Sequence, residues 1–83
     1  MITARQSRAA RALLGWTQET LADKALVSLT ALKRFESGHR AVYESTSDQI
    51  RRTLEANGVV FLSSYQGEGV MLVRAKVGAR AKN

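Results

Sequence analysis

Residues 28–40 read SLTALKRFESGHR, gathering hydroxyls, an ammonium, two guanidinium groups and the single histidine of the chain. Thr30, Lys33 and Arg34 stand three and four apart, the spacing that puts side chains on one face of a helix. Leu32 and Phe35 fall on the opposite face. Such a polar face can read a nucleic acid. A guanidinium pairs bidentately with guanine, a threonine or leucine methyl packs on a thymine methyl, and an ammonium reaches a base or a phosphate. The expected base contacts are therefore Leu29, Thr30, Lys33 and Arg34. Thr17, Gln18 and Ser28 lie at expected helix starts, where side chains and free backbone N–H groups hold phosphates. His39 and Arg40 follow the expected end of the same helix and join them as backbone contacts. Taken alone, without a helix-turn-helix frame, Lys33 and Arg34 read more readily as a solvated face.

Catalytic chemistry is not expected. The sequence has no cysteine, which excludes disulfides, Cys-ligated zinc, iron–sulfur clusters and thiol nucleophiles. One histidine cannot build a His-rich metal site. Gly67-Glu68-Gly69 lacks the third glycine of a dinucleotide fingerprint, and no Gly-x-Ser-x-Gly occurs. Glu19 and Asp23 stand four apart with nothing evident to raise their pKa. No enzyme activity, cofactor, metal or small-molecule ligand is implied.

The charge points the same way. Thirteen Lys+Arg face seven Asp+Glu in 83 residues, a net charge of +6. The cations cluster: Arg5, Arg8 and Arg11 precede the first acidic residue, and Arg74, Lys76, Arg80 and Lys82 close the chain with no acid among them. Such a balance suits a polyanionic partner, or simply keeps a small protein soluble. No apolar run approaches the ~20 residues of a membrane span, and no leader-like pattern opens the chain. Together these features fit a bacterial-type cytoplasmic protein.

The elements that would carry these residues follow from periodicity. Thr3 caps a first helix over Ala4–Leu14, with Ala9, Ala12, Leu13 and Trp16 as its apolar positions and Gly15 as its stop. Thr17 caps a second over Gln18–Ala25, whose inner face is Leu21, Ala22 and Ala25. Ser28 caps a third, with Ala31, Leu32 and Phe35 inward and Ser37-Gly38 at its end. Ser45 or Thr46 caps a fourth, carrying Ile50 and Leu54 and stopping at Asn57-Gly58. Then Val59–Leu62 and Val70–Val73 flank Gln66–Gly69, a strand–turn–strand signature. The sequence thus predicts a mainly α domain over 1–73, with four helices and a C-terminal hairpin at 59–73, and a basic tail at 74–83. Two short helices, with Ala22 where they must pass closely, form a helix-turn-helix whose second helix can enter a DNA major groove.

Trp16-Thr17-Gln18-Glu19-Thr20-Leu21-Ala22, then Val27-Ser28, then Leu32-Lys33-Arg34-Phe35-Glu36-Ser37-Gly38 resembles the phage-repressor and Cro-like helix-turn-helix family. The likeness covers residues 3 to about 58 and implies a lambda-repressor-like fold. It further implies an ion pair between Arg11 and Glu36 that joins helix 1 to the end of helix 3. Gln18 matches a residue that touches the DNA backbone and orients helix 3. Leu26 departs from the pattern, which usually has glycine in the turn, and no proline follows Arg40.

The function expected on these grounds is sequence-specific double-stranded DNA binding by a transcriptional regulator. One unit reads only ~4–6 base pairs, so a homodimer on a two-fold symmetric operator is expected. Its interface would be the hairpin or the helix 4 region. The alternative is a protein-interaction module, an antitoxin or anti-activator, on the same scaffold. RNA binding is weaker, because no aromatic stacking platform lies among basic residues.

Overall fold

A computed structural model describes residues 1–38 and 44–74 of the chain. Helices α1 (Ala4–Leu14), α2 (Gln18–Ala25), α3 (Leu29–Glu36) and α4 (Glu44–Ala56) precede strands β1 (Val59–Ser64) and β2 (Gly67–Leu72). The first three helices start at hydroxyl caps. Thr3 Oγ1 accepts from the Gln6 N–H at 3.1 Å, Thr17 Oγ1 from Thr20 at 3.1 Å and Ser28 Oγ from Ala31 at 3.0 Å. At Thr3 the cap is reciprocal, because the Thr3 N–H donates to Gln6 Oε1 at 3.0 Å, a capping box. The fourth helix corrects the expectation. It starts at Glu44, so Ser45 and Thr46 lie inside its first turn and neither caps it. An acidic side chain at that end complements the positive pole of the helix.

Ile2, Ala10, Leu21, Ala22, Ala25, Leu32, Phe35, Ile50, Leu54 and Val59 form the core. Ala22 is buried on α2, a helix that packs against both α3 and α4. The buried face of α1 differs from the apolar positions read in the sequence. Ala9, Ala12 and Leu13 are exposed, while Gln6, Ser7 and Ala10 are buried. Hydrogen bonds decide this orientation. Gln6 and Ser7 find polar partners on the hairpin and on α3, and small alanines supply too little apolar area to oppose them.

The strands pair antiparallel, with Val59 opposite Leu72 and Ser64 opposite Gly67. The turn is therefore Tyr65-Gln66 rather than Gln66–Gly69, and Gly67 and Gly69 belong to β2. Ser64 Oγ accepts the Gln66 N–H at 3.1 Å and holds the corner, a local bond that glycine spacing does not announce. Val59, Phe61, Val70 and Leu72 face the helices. Gln6 Nε2 donates to Leu62 O at 3.1 Å and to Gly69 O at 2.9 Å, tying both strands to α1. Beside it, Glu68 Oε2 accepts from Arg5 Nε at 2.8 Å and Thr3 Oγ1 at 3.0 Å.

Candidate nucleic-acid interface

The second and third helices are joined by Leu26, Val27 and the cap Ser28. The Val27 N–H donates to Ala22 O at 3.1 Å and the Leu26 N–H to Asp23 O at 3.3 Å. This is a Schellman ending, which puts its C′ residue in the left-handed region. Leu26 takes that conformation at φ 58°, ψ 40°. The end of α1 closes the same way, with glycine in that role at Gly15, φ 71°. A leucine held there carries steric strain of ~1–2 kcal/mol, and its side chain is 84% exposed. The turn thus keeps its geometry without the usual glycine. Val27 packs partly against the core and anchors its other end.

Helix α3 divides cleanly into two faces. Leu32, Phe35 and Glu36 are buried, and Thr30, Lys33 and Arg34 are exposed. Leu29 is half-buried and leans partly on the core, which leaves it less free than its three neighbours. Among the described residues, neither Lys33 nor Arg34 is engaged in an ion pair. Thr17 and Ser28 are exposed at the starts of α2 and α3, and Gln18 is half-buried. His39 and Arg40 lie outside the described residues.

Behind this surface sits a buried carboxylate. Glu36, only 3% exposed, ends α3 and draws donors from α1 and α2. Arg11 reaches it with Nη2 at 2.8 Å and Nε at 3.0–3.1 Å, Ser7 Oγ at 2.6 Å and Gln18 Nε2 at 3.0 Å. Arg11 Nη1 also donates to Trp16 O at 3.3 Å, and Arg8 donates to the Glu36 main-chain carbonyl. Burial works to raise the carboxyl pKa, but the hydrogen bonds from Arg11, Ser7 and Gln18, with the Arg11 charge, outweigh it. The net effect holds the carboxyl below its ordinary range. One residue therefore fixes the end of α3 against α1 and the first turn of α2. Trp16 packs partly on the core, with Lys24 Nζ 5.4 Å from its ring centroid.

A family model described as Helix-turn-helix, of the Cro/C1 type, matches residues 8–55. The chain belongs to the helix-turn-helix family. In broad class it is a DNA-binding regulator. No curated protein matches the chain. The match spans all of the helix-turn-helix and most of α1 and α4 and stops short of the hairpin. Among the described residues, no helix is long and apolar enough to cross a membrane.

Sequence reasoning missed Gln6, Ser7 and Arg8 as members of this scaffold. Ser7 carries no signal of its own, since serine within a helix reads as a solvent position. Gln6 does carry one: Thr3 followed three residues later by glutamine is the capping-box spacing. Its second task, bonding two strand carbonyls more than fifty residues away, has no local signature.

Proposed function

We propose that the chain is a transcriptional regulator that binds double-stranded DNA sequence-specifically, as a homodimer on a two-fold symmetric operator. The exposed face of α3 carries this reading, with Thr30, Lys33 and Arg34 presented together and the two cations unpaired among the described residues. Arg34 pairs with a guanine edge, Thr30 and Leu29 meet a thymine methyl, and Lys33 reaches a base or a phosphate. Thr17, Gln18 and Ser28 hold the phosphate backbone, helped by the free N–H groups at the starts of α2 and α3. His39 and Arg40 complete that set. Gln18 serves two purposes, because its amide already donates to Glu36 and so keeps the backbone contact in register with α3. A single α3 reads too few base pairs for a genome. Two copies, with their α3 helices one turn of DNA apart at ~34–36 Å, read enough.

Titration of labelled duplexes with Arg34→Ala tests the assignment. We expect an affinity loss of ~1–3 kcal/mol and relaxed preference at one base pair of each half-site. Unchanged affinity together with unchanged preference would remove Arg34 from the interface.

A further inference from the structure

Helix α1 carries Arg5, Arg8 and Arg11, each one turn from the next. The outer two are matched by acids. Arg5 Nε lies 2.8 Å from Glu68 Oε2, and Arg11 Nη2 lies 2.8 Å from Glu36 Oε1. Arg8, between them, is exposed and has no acidic partner among the described residues. Its Nη1 donates instead to a neutral atom, the main-chain carbonyl of Glu36. One N–H of the guanidinium fork is spent there, and its other donors remain. Arg11 already balances the Glu36 carboxylate, so the cluster around Glu36 keeps a surplus positive charge at Arg8.

That charge sits at the end of α3. Glu36 is the last residue of the helix, and a cation there complements the negative pole. The neighbouring carbonyls are closed locally. Lys33 O accepts the Ser37 N–H at 3.0 Å and the Ser37 hydroxyl at 2.7 Å, and Phe35 O accepts the Gly38 N–H at 3.1 Å. Gln18, assigned above to the phosphate backbone, bonds the carboxylate of the same Glu36. Arg8 from α1 and Gln18 from α2 thus grip one glutamate, by its main chain and by its side chain. An exposed carbonyl does not call for a cation, since water or a neutral donor would satisfy it. Like charges a turn apart on one helix repel. An anion from outside the chain relieves that repulsion, and a guanidinium fork fits a phosphate bidentately.

We propose that Arg8 is a further DNA-backbone contact, bridging the Glu36 carbonyl at the end of α3 to a phosphate beside Gln18. The proposal rests on the DNA-binding reading above. It adds a residue from α1, outside the two helices of the motif, that ties the end of α3 directly to the duplex backbone.

Salt titration of duplex binding by the full chain tests this. Each phosphate neutralised by a cation steepens the fall of log Kobs with log[salt] by ~0.9. Arg8→Gln should lower the slope by about 0.9 per bound chain and weaken binding by a similar factor on every duplex, preferred or not. Arg8→Lys keeps the charge and should keep the wild-type slope. Arg5→Gln, one turn away, removes a cation already matched by Glu68 and should leave the slope unchanged. A wild-type slope for Arg8→Gln overturns the assignment, whether or not base preference changes. An equal fall for Arg5→Gln overturns it too, because the effect would then be one of overall charge. Should Arg8→Gln fail to fold, NMR of the wild type decides: the Arg8 Nε–H signal must shift when duplex is added, and an unmoved signal overturns the proposal. A wild-type chain that binds no duplex even at low salt defeats the DNA-binding reading itself and Arg8 with it. A wild type that binds, beside an Arg8→Gln variant of the same slope, defeats the Arg8 contact alone.

Discussion

At the residue scale, Glu36 and Leu26 make opposite contributions. Glu36 is a buried carboxylate compensated by Ser7, Arg11 and Gln18, and removing one partner of such a buried pair costs ~3–5 kcal/mol. Because its folded pKa is lowered, its contribution is complete above the ordinary glutamate pKa of ~4.3 and is lost as pH falls through the folded value. Urea unfolding should therefore show Glu36→Gln well below wild type at pH 7. The gap should narrow as the medium is acidified, where the protonated wild-type carboxyl resembles the amide. A gap that stays constant with pH would mean that the carboxylate charge is not what Glu36 contributes. Leu26 is strained, and its side chain is mostly in water. Leu26→Gly should raise stability by about 1 kcal/mol, the relief of the left-handed conformation less the extra freedom of glycine in the unfolded chain. A lower melting temperature for this variant would show that the Leu26 side chain has packing value that its exposure does not reveal. The sequence signalled both residues. Glu36 stood in the resemblance with Arg11, and Leu26 stood where glycine is usual. The donors Ser7 and Gln18 could not be assigned to Glu36 from sequence, since their convergence depends on how three helices cross.

At the scale of elements, the first three helices were legible because each begins at a hydroxyl; α1 and α3 also end at Gly15 and Ser37-Gly38, and α2 is bounded by the next cap, Ser28. Helix α4 was less so, having two hydroxyls near its start and neither in the capping place. The hairpin was legible as a hairpin but not in its turn. Gly67 and Gly69 drew attention to themselves, whereas the corner is made by Tyr65 and Gln66 with help from the Ser64 hydroxyl. The inward face of α1 was misread because polar Gln6 and Ser7 outcompete alanines for the interior. Gln6 joins elements at opposite ends of the chain, accepting from the Thr3 N–H and donating to Leu62 and Gly69. Gln6→Ala should then cost ~1–3 kcal/mol. It should also speed hydrogen exchange in β1 and β2 more than in α2 and α3, a local opening of the element it pins. Uniform acceleration across the chain would argue that Gln6 supports the whole core and not the hairpin alone.

At the scale of the molecule, two buried polar residues tie the pieces together: Glu36 holds the end of α3 to α1 and α2, and Gln6 holds α1 to both strands of the hairpin. Composition had already pointed toward a polyanion through the net charge of +6, and the helix-turn-helix membership gives that charge a binding element. For the proposed homodimer the sequence left the interface open between the hairpin and helix 4, because apolar strands read alike whether a helix or a second chain covers them. The most direct test of sequence-specific DNA recognition is selection of bound duplexes from a random library at ~150 mM salt, where phosphate-only binding is weakened. We expect recovery of a two-fold symmetric motif whose half-sites lie about one helical turn apart. Recovery of sequences no different from the starting pool would contradict it.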